Sequence, residues 1–395
     1  MAGYDFDTLI DRRGTNSLKH DFAAERGYPA DVIPLWVADM DFRAPEPVLE
    51  ALRKAVEHGI FGYSEVKGDY ADAVAGWFTE RFGWTPRPEW LVKTPGVVYA
   101  LAMAVRAFTK PGESVVVQPP VYYPFFSVVA DNGRRLVENT LLYENGRYRM
   151  DLADLEEKLA ATGAKLLILC SPHNPVCRVW TAEELQALGA VCARHGVFVI
   201  SDEIHCDFTY PGHPHTTFLN ACPDLAERVM ICTSGGKSFN LAGLQVSNIY
   251  IPGGAAREAF AREIERSGYS QLNTLGLVAT QAAYERGGEW LDRCRAYLRG
   301  NLDELRAFLE ARIPRIKLVE PEGTYFAWLD CSALGLAGRE LDRFIAHEAG
   351  LWLDAGHIFG GGADQFQRLV LACPRSTLDR ALERLERAVR ALTAG

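Results

Sequence analysis

Four short runs of almost wholly apolar residues, set among segments with helical periodicity, constrain the fold of this chain more than any other feature. The runs cover residues 114–118, 165–170, 197–201 and 229–232. Strands that are apolar along their whole length are buried on both faces, as in parallel sheets covered by helices. The alternation of such strands with helices therefore predicts an α/β fold built around a mostly parallel sheet.

The segments around these runs carry apolar residues at helical spacing. One of them begins with the capping box Thr181-Ala182-Glu183-Glu184, which favours a helix start at that point. The helices predicted for this part of the chain cover residues 47–58, 69–82, 97–108, 151–159 and 181–194.

The pattern changes near residue 289. The elements predicted beyond it are helices over 289–312, 339–348 and 376–392 and strands over 325–329 and 368–371. A chain of 395 residues is long enough for two domains. We therefore predict a large domain formed by residues 48–288, and a smaller α+β domain formed by residues 1–47 together with residues 289–395.

The charge balance argues against one class of partner. The sequence contains 51 acidic and 42 basic residues, a formal net charge of −9, and it has no Lys/Arg-rich run. Nucleic-acid binding requires a basic face. We therefore expect no nucleic-acid partner.

Other features of the sequence indicate the compartment. No apolar stretch reaches membrane-spanning length, and the acidic start lacks the basic and apolar regions of a signal peptide. The nine cysteines include no C-x-x-C pair, which argues against a disulfide framework and against a metal site. We expect a cytoplasmic protein with no membrane partner and no metal, because free thiols suit a reducing compartment.

Three of the apolar runs are followed, within five residues, by a residue that could carry chemistry. Asn174 follows the second run, Asp202 the third and Lys237 the fourth. Ligands of open parallel sheets bind at the carboxyl ends of the strands, so these side chains should meet at one rim. Pyridoxal 5′-phosphate (PLP) needs an amine for its aldehyde, an anion for its ring nitrogen and a donor for its ring oxygen. Lys237, Asp202 and Asn174 can supply these groups in that order.

Each of the three residues also has an ordinary explanation. A lysine after two glycines, such as Lys237, is typical of a solvated turn. An aspartate after a strand, such as Asp202, is typical of a helix cap, and an asparagine before a proline, such as Asn174, is typical of a turn. It is their occurrence together, in this order and on successive strands, that favours a cofactor site.

Two segments could hold the cofactor phosphate. Gly96 opens the predicted helix over 97–108, where the free N–H groups of Val97 and Val98 and the positive end of the helix dipole favour an anion. Ser234 offers a hydroxyl three residues before Lys237. The alternative for Gly96 is an ordinary glycine-containing helix start.

The motifs around these residues resemble the fold-type I PLP enzymes of the class I/II aminotransferase superfamily, and within it the MalY/PatB group of cystathionine β-lyases. The resemblance spans residues 5–390. It is carried by the segments 36–42, 96–98, 119–125, 171–175, 201–205, 234–240, 322–330 and 371–375. It implies a seven-stranded, mostly parallel sheet in the large domain and PLP as the cofactor.

The resemblance also implies roles at the cofactor. Lys237 would bind the cofactor aldehyde and shuttle a proton, and Asp202 would pair with the ring nitrogen. Asn174 would bind the ring oxygen and the substrate. Tyr122 would stack on the ring and contact the substrate, with core packing as its alternative. His205, in the same motif as Asp202, would contact the cofactor.

Three further roles concern the substrate and a second subunit. Arg375 would bind the substrate carboxylate through a bidentate contact, with a surface arginine as its alternative. Asp39 would contact the substrate. Tyr63 would reach the cofactor phosphate of the neighbouring subunit, which implies a homodimer with shared active sites.

The chain departs from the pattern of the resembled family at two positions. Cys177 stands where the family usually has glycine, and either a packed or a reactive thiol is conceivable there. Gly236 stands before the lysine, where serine is common, so one phosphate hydroxyl could be missing.

The resemblance implies a carbon–sulfur β-lyase that acts on an amino-acid substrate. The expected reaction converts L-cystathionine or a related cysteine S-conjugate to a thiol, pyruvate and ammonia. A PLP-dependent aminotransferase is the main alternative, because both reactions begin by removing the same proton. A regulatory, partner-binding protein is a further alternative, although no helix-turn-helix extension is visible.

Overall fold

A seven-stranded sheet forms the centre of the computed structural model, which describes residues 4–394. The strands, numbered in chain order, are β1 (Ile33–Pro34), β2 (Leu91–Thr94), β3 (Ser114–Val117), β4 (Arg135–Glu138), β5 (Leu142–Glu144), β6 (Arg147–Arg149), β7 (Leu166–Cys170), β8 (Phe198–Asp202), β9 (Val229–Thr233), β10 (Ser247–Tyr250), β11 (Lys317–Val319), β12 (Phe326–Asp330), β13 (Leu351–Trp352), β14 (Asp354–Ala355) and β15 (Phe366–Val370).

Helices connect these strands. They are α1 (Glu46–His58), α2 (Gly68–Phe82), α3 (Val97–Phe108), α4 (Pro124–Ala130), α5 (Leu152–Thr162), α6 (Ala182–His195), α7 (Phe218–Ala221), α8 (Gly235–Ser238), α9 (Gly254–Arg266), α10 (Thr274–Arg286), α11 (Gly288–Arg312), α12 (Gly338–Arg343) and α13 (Arg375–Ala394). The helix predicted over 339–348 is α12 continued by a π-helical turn, Phe344–Glu348. None of the helices within residues 4–394 combines the length and the apolar character needed to cross a bilayer.

The order of the central sheet confirms the prediction of a mostly parallel seven-stranded sheet. The strands lie in the order β2-β10-β9-β8-β7-β3-β4. Only β10 within this sheet runs antiparallel to its neighbours, β2 and β9. The four apolar runs seen in the sequence are the neighbouring strands β3, β7, β8 and β9, each within one residue of the predicted range.

Both faces of the central sheet are buried, as the continuous apolar runs predict. Along β7, for example, Ile168 and Leu169 face opposite ways and belong to different apolar clusters. Helix α3 packs on the Ile168 face, where its first turn lies beside the ends of the strands. The capping box that begins α6 is present, with Glu184 N donating to the Thr181 hydroxyl at 3.2 Å.

A four-stranded sheet in the order β11-β12-β15-β14 lies in the C-terminal part of the chain. The N-terminal segment joins this part, because β1 pairs with β13 in parallel. The backbone of Asp41 also donates to Ala372 O at 2.9 Å. These contacts agree with a domain that combines both ends of the chain, but the boundaries at residues 47/48 and 288/289 stay a prediction.

Candidate active site

A cavity of about 470 Å³ opens where β7, β8 and β9 end. Asn174 follows β7, Asp202 ends β8, and Lys237 lies on α8 directly after β9. The structure thus brings these three side chains to one cavity. The residues expected at the cofactor that line it are Gly96, Val97, Val98, Tyr122, Asn174, Asp202, His205, Ser234 and Lys237.

Lys237 is held inside the cavity by its local structure. Ser234 caps the single turn of α8, and its oxygen accepts from Gly236 N at 3.0 Å. Lys237 Nζ donates to Ala38 O at 2.7 Å. Burial, followed by the positive charge of Arg368, lowers the pKa of the Lys237 amine to about 8. A neutral, nucleophilic amine is therefore accessible near neutral pH.

Asp202 is a carboxylate with few protein partners. Ile204 N donates to its Oδ1 at 3.2 Å, and its register partners on the neighbouring strands are Cys170 and Cys232. Burial raises the pKa of Asp202 to about 7, although the Lys237 charge opposes this. A cation placed against this carboxylate would restore its ionised form. Asp202 can therefore hold a protonated ring nitrogen.

His205 contributes a buried polar atom with no protein partner. Its Nδ1 has no hydrogen bond among the described residues. Burial, with the nearby charges of Lys237 and Arg368, holds the pKa of His205 well below its usual range. A neutral imidazole with a free ring nitrogen fits a ligand that brings its own polar group.

The N-terminus of α3 is open enough to hold an anion. Gly96 has φ +105°, and a Cβ at this position would meet nothing within 4 Å. The Ser234 hydroxyl is already in use, because it donates to Val246 O at 2.7 Å. A phosphate would therefore be held chiefly by the backbone N–H groups that follow Gly96. Ser234 lines the cavity, and its role at the phosphate stays a prediction.

The structure does not bring Arg375 into the cavity. Its Nε donates to Asn301 Oδ1 at 2.8 Å, and its Nη1 lies 3.4 Å from Glu304. These contacts tie the start of α13 to α11. Within one chain Arg375 thus links two helices, and its substrate contact stays a prediction.

Asp39 and Tyr63 also lie outside the cavity lining. The Asp39 carboxylate is bound by Arg12, at 3.0 and 2.7 Å, yet it is close enough to Lys237 to raise the pKa of the amine. Tyr63 is 94% exposed and borders a separate hollow formed with residues 270–275. Within one chain neither residue touches the site.

The sequence reasoning missed Arg368, which is buried on β15. Its Nη1 donates to Asn174 Oδ1 at 2.7 Å, its Nη2 donates to Trp36 O at 2.8 Å, and it pairs with Asp354. This arrangement leaves the Asn174 Nδ2 group as a donor for a ligand. Arg368 Nε is buried with no partner among the described residues. The sequence signal that could have found it is an arginine on a strand whose other residues carry no charge.

Cys177 is a packed thiol. It is fully buried, and burial raises its pKa to about 12, so it is a poor nucleophile. Its φ of +60° explains why glycine suits this position. Within residues 4–394, no group of His, Cys, Asp and Glu side chains is arranged to hold a metal ion.

Comparison with known proteins gives consistent matches over nearly the whole chain. The family model described as "Aminotransferase class I and II" matches residues 30–385. The chain is 44% identical over 384 residues to cystathionine beta-lyase PatB of Bacillus subtilis (strain 168), covering 97% of this chain and 99% of the relative. It is 35% identical over 392 residues to protein MalY of Escherichia coli (strain K12), covering 98% and 100%. The crystal structure of cystalysin from Treponema denticola, which contains a pyridoxal 5′-phosphate cofactor, is similar with a TM-score of 0.95 at 37% identity, covering 98% and 99%.

The low pKa of Lys237 leads to a prediction for the cofactor-free protein. The rate constant for reaction with pyridoxal 5′-phosphate should rise with pH and level off above about pH 8, because the amine is protonated and unreactive below its pKa. Visible absorbance measures this reaction. Asp202→Asn should move the inflection of this pH profile to lower pH, because the Asp202 carboxylate favours the ammonium form of Lys237. An inflection near the ordinary lysine value of 10.5 would contradict the burial argument.

Proposed function

The chain belongs to the aminotransferase class I and II family, and on that premise we propose that it is a PLP-dependent carbon–sulfur β-lyase. It cleaves L-cystathionine or a related cysteine S-conjugate, with water, to a thiol, pyruvate and ammonia. The observation that carries the proposal is the meeting of Lys237, Asp202 and Asn174 in one cavity. The named lyases among its relatives support the choice of reaction.

The residues of the cavity fit PLP. The lysine amine matches the aldehyde, and the buried Asp202 carboxylate, with its one backbone hydrogen bond, matches the ring nitrogen. The unpartnered His205 Nδ1 offers a contact to the ring or its substituents. The open N-terminus of α3 behind Gly96 matches the phosphate. Tyr122 lies in the same cavity and supplies an aromatic face.

When bound, the cofactor supplies an aldehyde for the amine and a protonated ring that withdraws electrons from the substrate Cα. Asp202 keeps the ring nitrogen protonated. Lys237, with its lowered pKa, takes the proton from Cα and can return it to the departing sulfur. Loss of the thiolate from Cβ is then the step that separates a lyase from an aminotransferase.

Arg368 is the group that binds the substrate carboxylate in this proposal. It is buried beside Asn174, with its Nε without a partner, whereas Arg375 is engaged by Asn301 and Glu304. Its Nη groups are engaged by Asn174, Trp36 and Asp354, so the free Nε offers the carboxylate one charge-assisted hydrogen bond.

The lining of the cavity suits a thioether substrate. Among the described lining residues, Lys237 is the only lysine or arginine, and most of the others are apolar. These apolar groups can pack against the carbon–sulfur chain of an S-conjugate.

The active unit is a cytoplasmic homodimer with shared sites. Four exposed apolar side chains lie within residues 56–63, namely Val56, Ile60, Phe61 and Tyr63, and the last two border residues 270–275. Exposed apolar groups of this kind suit a protein–protein interface. The nine free, buried cysteines suit a reducing compartment.

The reaction can be tested directly. The purified holoenzyme should release pyruvate and thiol from L-cystathionine without any added keto acid. Lys237→Ala should lose the visible absorbance of the bound cofactor and at least about a thousand-fold in turnover, because it removes both the anchoring amine and the base. Coupled lactate dehydrogenase measures the pyruvate. Amino transfer that requires a keto acid, without pyruvate release, would assign the aminotransferase reaction instead.

The two arginines can be distinguished by a matched pair of variants. Arg368→Lys keeps the charge beside Asp354 but loses the planar fork, so KM for L-cystathionine should rise at least about ten-fold. Arg375→Lys should change KM less than about three-fold. Steady-state kinetics measures both values. A larger rise in KM for Arg375→Lys than for Arg368→Lys would assign the carboxylate contact to Arg375.

The shared site can be tested by mixing two defective chains. Tyr63→Ala and Lys237→Ala should each lose activity alone. After unfolding and refolding together, half of the dimers would be mixed and each would carry one intact site, so activity should return to roughly a quarter of wild type. No recovery on mixing would show that Tyr63 does not act on the neighbouring subunit's site.

A further inference from the structure

The free amine of Lys237 is held by a main-chain oxygen from the N-terminal segment. Lys237 Nζ donates to Ala38 O at 2.7 Å, and the Tyr325 hydroxyl donates to the same oxygen at 3.0 Å. A carbonyl accepts a hydrogen bond from an amine or an ammonium group and does not take up its proton. It can therefore fix the position of the amine without neutralising it.

Asn240 ties the segment that carries this oxygen to the loop that carries the lysine. Its Nδ2 donates to Met40 O at 2.9 Å and to Phe42 O at 2.8 Å, and its Oδ1 accepts from Met40 N at 3.0 Å. Asn240 lies three residues after Lys237, and Met40 lies two residues after Ala38. One side chain thus sets the spacing between the amine and its acceptor.

A cluster of charges holds the other side of the same segment. Arg12 binds both Asp39 and Asp41, the latter at 2.8 Å, and the fully buried Lys19 binds Asp41 at 2.8 Å. Buried ion pairs often add little net stability, because desolvation offsets their attraction. Their effect here is to fix the path of residues 38–42 beside the cavity.

We infer that the Ala38 carbonyl is the acceptor that holds the Lys237 amine whenever it is not bonded to the cofactor. Asn240 is the positioning residue for this hydrogen bond, and the Tyr325 hydroxyl competes with the amine for the same oxygen. The inference rests on the proposed function, in which the substrate amine displaces Lys237. A free lysine side chain samples many rotamers, so a fixed acceptor returns the amine to one place in each turnover.

Several charged groups face the amine from other elements. Asp39 and Asp202 favour its ammonium form, whereas Arg368 and burial disfavour it, and His205 lies close by in neutral form. Asn240 and Tyr325 are uncharged, since burial raises the pKa of Tyr325 well above its usual range. Changing either residue therefore alters the hydrogen bond to Ala38 O and leaves the charges in place.

The test follows the reaction of the cofactor-free, full-length protein with pyridoxal 5′-phosphate as a function of pH. Asn240→Gly removes three hydrogen bonds and suits the φ of +58° at this position. We expect its plateau rate constant to fall about ten-fold and its inflection to move to lower pH, because the ammonium form loses its acceptor. Tyr325→Phe removes the competing donor, so its inflection should move to higher pH.

Asn145→Gly is the matched control. It replaces another asparagine with positive φ, +52°, in the exposed turn between β5 and β6. It should keep the wild-type rate constant and inflection. Tyr325→Phe retains the aromatic ring, so the test remains decisive even if Asn240→Gly fails to fold.

Opposite shifts of the inflection in Asn240→Gly and Tyr325→Phe would support the inference. Unchanged inflections in both would overturn it, even with lower melting temperatures, because a purely structural role alters stability and not the ionisation of Lys237. A wild-type protein that takes up no cofactor would overturn the proposed function and the inference together. If the wild-type protein takes up the cofactor but the inflections of both variants are unchanged, only the inference is overturned.

Discussion

Burial of a lysine and an aspartate in one cavity is the constraint on which the rest of the site depends. Desolvation lowers the pKa of Lys237 to about 8 and raises that of Asp202 to about 7, so both groups lie close to their neutral forms. A cofactor with an aldehyde at one end of its ring and a basic nitrogen at the other gives each group a partner. The surrounding sheet makes this possible, because it brings the two side chains together and excludes water.

The central part of this arrangement could be predicted from the sequence because it is encoded locally. Continuous apolar strands imply a parallel sheet, and parallel strands deliver the residues after them to one edge. Asn174, Asp202 and Lys237 follow this rule. The strands β2, β4 and β10 escaped prediction because each carries polar or charged residues, such as Arg135 and Glu138 on β4, that a short pattern cannot distinguish from a loop.

The residues whose placement differs from the expectation have contacts that are distant in sequence. Arg375 lies in a motif-like segment, but packing against α11 engages it with Asn301. Arg368 reaches Asn174 only because β15 is placed between β12 and β14, a register that no local pattern reveals. The Ser234 hydroxyl donates to the carbonyl of Val246, the residue before β10. In each case the partner, and not the residue type, decides what the side chain does.

The position of the N-terminal segment has a consequence for how the site is assembled during synthesis. Residues 33–41 leave the ribosome early, yet Met40 is bound by Asn240, Ile33 pairs with Leu351 and Asp41 is bound by Ala372 O. These contacts join parts of the chain that are 200 to 331 residues apart, and the last two form only when the chain is almost complete. An unfinished chain therefore lacks the pairing with Leu351 and the contact with Ala372 that hold this segment in place, so the reactive amine gains its final environment late in folding.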